Sequence, residues 1–351
     1  MDGLRFFAFL SIFICHYYIK NLKRIWFLTY AVPLFFVLSG FLITHILLEY
    51  EHVPRRHFLV SFYARRSLRI FPAYYLFITV LLLLGRLQDP AWYFSYTFNM
   101  KIFLLSLHGG LDALLKNWQQ VNIHLWTLCV EEQFYLIYPA LFFLIPSRSR
   151  LRWFALLIAA SCLLRFWFRI FMPYAYYGTL LPVCGEALLW GGAAACARNK
   201  MRETRISSWA WMAMAAALIL ALIVFWGRGN TKLWALQFRV QRVHSLYLLA
   251  FTVIVLTLWN DDRFLLSRIL AWGPFYYLGK IGYGLYLYHL STWDLAAWLT
   301  ERVPALESVP VILLRLGLTV ILASLSWHLF ESPLNNLKRF FPYRERQRDA
   351  V

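Results

Sequence analysis

Apolar residues run through this chain in blocks about as long as a bilayer is thick, separated by short segments rich in arginine, lysine and aromatic side chains. A helix needs roughly 20 apolar residues to cross the hydrocarbon core. On that measure the pattern predicts spans near 4–19, 26–48, 70–85, 125–145, 151–171, 180–197, 208–227, 244–260, 274–298 and 309–331. The expected fold class is therefore all-α, a polytopic integral membrane protein with about ten transmembrane helices. A further apolar stretch, Trp92 to Leu107, is interrupted by Ser95, Asn99 and Lys101.

Composition agrees with this pattern. Hydrophobic residues make up 61% of the 351 positions and charged ones 15%, too little polar surface for a soluble protein of this length. No Gly/Ser linker, repeat or low-complexity tract divides the chain, so it reads as one polytopic unit. The first apolar stretch has no small-residue cleavage site and leads directly into the second, which makes it a retained helix rather than a signal peptide. Five cysteines, odd in number and without a CxxC spacing, read as small interior residues.

The basic residues set an orientation. With ten spans and a cytoplasmic N-terminus, nineteen Lys and Arg fall on the inner side, in clusters around Arg55–Arg69, Arg148–Arg152, Arg198–Arg205, Arg263–Arg268 and Lys338–Arg348. Eleven fall outside, among them Lys20, Lys23, Arg24, Lys116 and Arg228 to Arg242. Counting 92–107 as a full span would move the inner clusters outside, against the positive-inside rule, so that segment is expected to be external or re-entrant. Both termini are then cytoplasmic, in a cell inner (plasma) membrane. The net charge of +18 follows from this bias, and no nucleic-acid partner is expected, because the basic residues are spread among loops.

Some ionisable residues sit inside the spans, where burial must be compensated and function is the first hypothesis. Arg5 and His16 are eleven residues apart, three helical turns plus about 20°, so they share a face about 16 Å apart. Counted from the membrane faces, His16 lies about 18 Å up, Glu131 and Glu132 about 20 Å, and His289 about 22 Å. Either these groups form one reactive layer or each is satisfied separately. Two adjacent carboxylates point about 100° apart, so at most one can face His16 squarely. A carboxylate beside an imidazole holds its orientation and raises its basicity, as a general base requires; the alternative is Glu paired to a structural arginine, with Trp126 at headgroup level.

Ser39-Gly40 in the second span most often means close helix packing, though it also admits a thin chain. Arg65, Arg66 and Arg69 stand at the inner membrane edge, as a solvated loop or as a phosphate clamp. Gly279-Lys280-Ile281-Gly282-Tyr283-Gly284 lies within an apolar aromatic span and lacks the strand-turn-helix context of a nucleotide loop. His328 and Glu331 are expected to pair with loop arginines. Arg165, Arg169, Glu186, Asp294 and Arg315 are further intramembrane charges without evident partners in the sequence. No His/Asp/Glu set has ligand spacing such as HExxH, so no metal is expected.

Six motifs in order carry a family resemblance: Asp2-Gly3-Leu4-Arg5 with His16, Phe36 to Phe41, Arg66 to Tyr74, Leu125 to Pro139, Gly279 to His289, and Glu331-Ser332-Pro333. Over nearly its whole length the chain resembles the acyltransferase-3 family of integral membrane O-acyltransferases. The resemblance implies an acyl-CoA donor, acetyl-CoA above all, entering from the cytoplasm, and transfer to a hydroxyl of a cell-envelope glycan or lipid-linked sugar. Arg5 and His16 match the family's Arg-x10-His motif, Arg66 and Arg69 its Arg-x-x-Arg motif, and Glu131 its signature carboxylate. Two features depart from the pattern: Trp126-Thr127-Leu128-Cys129 replaces Trp-Ser-Leu-Ser, and Gly282 and Gly284 replace serines. The N-terminus is expected to be very short. Residues 1–335 would form the membrane domain and 336–351 a basic cytoplasmic tail.

On this reading Arg5, Ser39, Arg66 and Arg69 hold the donor, and His16 is the base, with His289 as second choice. Glu131 or Glu132 fixes the imidazole; direct transfer and an acyl-histidine intermediate both remain open. The competing class is a transporter or flippase using the same polar layer. Carriers often show internal repeats with matching broken helices, and no such duplication is visible here.

Overall fold

The apolar runs fold as helices, because backbone N–H and C=O groups in lipid find partners only within their own segment. The structure is a computed structural model and describes residues 1–17, 26–109, 122–204, 206–227 and 244–343. The basic residues assigned above to positions 20–24, 116, 205, 228–242 and 344–348 lie outside the described residues. Among the described residues all regular structure is helical.

Helix α1 is Asp2–Tyr17, and a 3-10 turn, Trp26–Tyr30, leads into α2, Ala31–Glu49. Helix α3 runs from Arg55 to Leu83, much longer than the span expected at 70–85. The arginine run before Ile70 is therefore helical and not a loop; arginine is a good helix former, and the helix continues through Pro72. Helix α4, Phe98–Leu107, has 10 residues, or about 15 Å of rise, half of what a 30 Å core requires. Helices α5 (Trp126–Leu144), α6 (Arg150–Phe171), α7 (Glu186–Arg202), α8 (Ser208–Gly227) and α9 (His244–Asn260) follow.

The span expected over 274–298 is three helices: α10, Gly273–Lys280; α11, Gly282–Tyr288; and α12, Thr292–Arg302. The second break falls where side chains take over backbone carbonyls: His289 Nδ1 bonds the Tyr286 carbonyl and Thr292 Oγ1 that of His289, both at 2.7 Å. Helix α13, Val311–Ser326, ends in a single π turn, Trp327–Glu331, and a short helix, Ser332–Asn336. Among the described residues four segments are long and apolar enough to cross a membrane: Phe27–Glu49, Arg55–Leu83, Ser147–Phe171 and Val311–Phe340. Trp153, Leu156, Leu163, Phe166 and Ile170 of α6 are exposed, an apolar face that suits lipid.

Close backbone approach locks the helices around the site. A Cβ on Gly40 would lie 1.9 Å from the Leu188 carbonyl oxygen, so α2 meets α7 nearly backbone to backbone. Gly279 does the same for α10 against Asp2 at the start of α1, again at 1.9 Å. Residues 337–343, part of the expected tail, dock on α3. Arg65 donates to the carbonyls of Lys338 and Phe341 at 3.0 and 3.2 Å, and Ser61 to that of Pro342 at 2.9 Å. Between α2 and α3, the Glu51 carboxylate accepts a 2.8 Å bond from Arg150. This charge-assisted bond holds the Glu51 carboxyl below its ordinary range.

Candidate active site

Helical periodicity lines one cavity from four directions. Val32, Phe35, Phe36 and Ser39 recur at i, i+3, i+4 and i+7 on α2; Arg66, Arg69 and Ile70 at i, i+3 and i+4 on α3; Thr127, Glu131 and Tyr135 at i, i+4 and i+8 on α5. Arg5 and Ile12, seven apart on α1, add the fourth wall, and Gly279, Gly282, Tyr283 and Tyr286 close it. The space within is about 110 Å³. All four residues expected to hold the donor, Arg5, Ser39, Arg66 and Arg69, line this cleft together with Glu131 and Glu132.

Ser39 and Gly40 face different surroundings, because one helical step turns the side chain by about 100°. Gly40 packs on Leu188, while Ser39 faces the cleft and donates to Glu131 Oε1 at 2.6 Å. The cleft is cationic along one wall. Arg5 is paired with Asp2, and the Arg66 guanidinium lies 4.7 Å from the Tyr135 ring centroid.

His16 and His289 lie next to this cleft, beyond its lining. The single layer expected of four groups is thus two adjoining sets, with the carboxylates in one and the imidazoles in the other. Glu131 is tied to Ser39, and the described partner of His16 is His289: His16 Nδ1 and His289 Nε2 are 2.9 Å apart, with rings stacked at 14°. The bonds fix the tautomers. A carbonyl only accepts, so His289 Nδ1 carries hydrogen toward the Tyr286 carbonyl, and Nε2 of the neutral ring carries a lone pair. The shared bond then requires hydrogen on His16 Nδ1, which leaves the lone pair of neutral His16 on Nε2.

Sequence reasoning assigned no role to three residues that join these sets. Tyr286 lines the cleft, its carbonyl anchors His289, and its hydroxyl lies 2.6 Å from Thr127 Oγ1 and donates to the His124 carbonyl at 3.0 Å. The His124 ring sits edge-on to His289, with centroids 4.7 Å apart. Tyr286 precedes His289 by three, a helical-neighbour spacing that was the available signal. Among the described residues, no three His, Cys, Asp or Glu side chains are set to hold a metal ion.

The other intramembrane charges mostly find partners. Arg165 pairs with buried Glu186, which also accepts from Ser245 at 2.6 Å, and Asp294 pairs with Arg86. His328 and Glu331 do not pair with loop arginines among the described residues. His328 Nε2 meets the Tyr277 hydroxyl at 3.2 Å, and Glu331 accepts from Ser326 at 2.7 Å. The π turn at Trp327–Glu331 turns Glu331 inward, where it is buried.

Comparison with known proteins identifies the family. An acyltransferase domain model, that of the acyltransferase-3 family, matches residues 1–328. The putative peptidoglycan O-acetyltransferase YrhL of Bacillus subtilis is 29% identical over 95% of this chain and 54% of its own length. The peptidoglycan O-acetyltransferase OatA of Listeria monocytogenes is 29% identical over 95% and 55%, and the O-acetyltransferase OatA of Staphylococcus aureus 25% over 95% and 56%. The chain spans about half the length of the curated relatives it matches. No solved structure matches it. With the family model covering nearly all of the helical body, the chain belongs to the acyltransferase-3 family of multi-pass membrane acyltransferases.

Proposed function

We propose that this protein transfers an acetyl group from acetyl-CoA to a hydroxyl of a cell-envelope glycan. The observation that carries the reading is the hydrogen-bonded series His16, His289, Tyr286 carbonyl, beside a cleft lined by Arg5, Arg66 and Arg69. The reaction needs a base at one end and anion-binding groups at the other. The arginines bind the phosphates of the donor by charge-assisted hydrogen bonds, and Ser39, Phe35 and Phe36 pass its narrow arm inward. Arg5 and His16 belong to one continuous helix, so about 16 Å separates the phosphate end from the base.

At that point the acceptor hydroxyl loses its proton to His16 Nε2 as its oxygen attacks the acyl carbon. His289 keeps His16 in the tautomer that does this, so His289 is the orienting partner and not the alternative base. Collapse of the tetrahedral species breaks the C–S bond, and the coenzyme A thiolate takes the proton from the imidazolium. Ten spans with both termini cytoplasmic, in the plasma membrane, bring the donor from inside, and an acceptor reaches the imidazoles from the other side. Residues 1–335 make up the catalytic unit and 336–351 a basic tail. The relatives named for peptidoglycan acetylation support a cell-wall glycan as the acceptor class.

The test is release of coenzyme A thiol from acetyl-CoA by the protein in proteoliposomes, with acetyl esters on added peptidoglycan fragments read by mass spectrometry. His16→Ala is expected to lose about 10²- to 10⁴-fold in turnover while keeping its fold. Wild-type turnover in a folded His16→Ala protein removes His16 as the base. Absence of both thiol release and esters with the wild-type protein removes the proposed reaction.

A further inference from the structure

Arg315 is 1% exposed, and of the three buried arginines it is the one with no carboxylate partner among the described residues: Arg150 pairs with Glu51 and Arg165 with Glu186. Its Nε and Nη1 make no hydrogen bond. What it has is aromatic faces. The guanidinium carbon is 3.4 Å from the Trp293 ring centroid, 5.5 Å from Tyr17 and 5.6 Å from Phe13. Such contacts offset part of the cost of a desolvated cation and leave the Nε and Nη1 donors unused.

Its location gives those donors a task. Phe13 and Tyr17 flank His16 on the last turn of α1, so the guanidinium lies over the turn that carries the proposed base. Two threonines in contact also bring the backbone of Arg315 near that of His289. Thr319 Oγ1 donates to the Arg315 carbonyl at 2.7 Å and meets Thr292 Oγ1 at 3.3 Å, and Thr292 bonds the His289 carbonyl. Arg315 and the imidazole pair therefore share one frame formed by α1, α12 and α13. A fixed cation with spare N–H groups beside a base is what an acyl transfer needs where negative charge develops.

Building on the function proposed above, we propose that Arg315 donates hydrogen bonds to the acyl carbonyl oxygen as it becomes an oxyanion. When the acceptor oxygen bonds to the acyl carbon, its proton passes to His16 Nε2 and the carbonyl π pair moves onto oxygen, opposite the guanidinium. When the C–S bond breaks, that pair returns to the carbonyl and the thiolate leaves with the proton. Charge is conserved throughout, and no further reactant is needed.

The experiment compares Arg315→Met, Arg315→Lys and His16→Ala in proteoliposomes, measuring turnover of acetyl-CoA, its KM, and coenzyme A affinity by calorimetry. Arg315→Met is expected to lower kcat by about 10²- to 10³-fold, as removal of an oxyanion donor does, with donor KM and coenzyme A affinity unchanged. Arg315→Lys keeps the charge without the fork and is expected to fall between Met and wild type. Acetyl-CoA hydrolysis without acceptor should fall in parallel with transfer. A loss confined to transfer makes Arg315 an acceptor-binding group and overturns the proposal. Wild-type kcat in folded Arg315→Met overturns it too, as does Arg315→Lys no better than Met. If the Met variant does not fold, Lys decides: wild-type kcat, or weakened coenzyme A binding, refutes the assignment. An inactive His16→Ala beside an active Arg315→Met sinks only this inference, whereas an active His16→Ala sinks the base itself.

Discussion

Replacing His289 tests the tautomer argument most directly. The ring is wholly buried, takes the His16 Nδ1 hydrogen at 2.9 Å and gives its own to the Tyr286 carbonyl at 2.7 Å. His289→Leu fills similar space without an acceptor, so it leaves one buried N–H and one buried carbonyl unsatisfied. A buried group left unpaired costs about 1 to 3 kcal/mol, and if the His16 bond is what holds the reactive tautomer, that cost appears in the barrier. At 1.36 kcal/mol per decade this is about 5- to 150-fold in kcat. Donor KM should not move, since His289 does not line the cleft. His289→Gln, whose amide oxygen can accept from His16, should recover most of the loss. The assay is initial-rate coenzyme A release across a range of acetyl-CoA concentrations, on protein shown to be folded by thermal shift. A Leu variant within twofold of wild type would refute the orienting role. Leu and Gln variants both as inactive as His16→Ala would make His289 a second obligatory proton carrier.

Arg66→Ala and Arg69→Ala should each weaken coenzyme A binding by about 1.5 to 3 kcal/mol, the usual worth of a hydrogen bond to a charged group, with little change in acceptor KM. Unchanged affinity in both would take the phosphate clamp out of the mechanism. Cysteine placed at His108 should react with an impermeant thiol reagent only from outside and at Glu203 only from the cytoplasm; the opposite pattern would invert the proposed ten-span topology. Gly40→Val should destabilise by about 1 to 3 kcal/mol in thermal shift, because α2 and α7 must separate to admit its side chain. An unshifted midpoint would mean that the close approach is dispensable.

Much of the architecture is legible along the chain, because lipid imposes a one-dimensional rule: an apolar run must be helical and about as long as the bilayer is thick. That rule, with spacing along single helices, put Arg5 and His16 on one face of α1 and Arg66 and Arg69 at the inner edge; Arg5, Arg66, Arg69 and Ser39 line one cleft, whereas His16 lies beyond its lining. It failed where side chains from different helices compete for the backbone. The break at His289 depends on bonds to Tyr286 and Thr292 whose geometry no apolar run encodes. Partner choice was equally hidden. From sequence a carboxylate was the natural companion of His16, yet Glu131 meets Ser39 of α2 and His16 meets His289, because rotation of α5 about its axis and the bend between α11 and α12 decide which groups converge. Arg315 makes the same point: its charge inside an apolar run was visible at once, but that it stacks on Trp293 beside the turn bearing His16, without a carboxylate partner, required three helices in their tertiary arrangement.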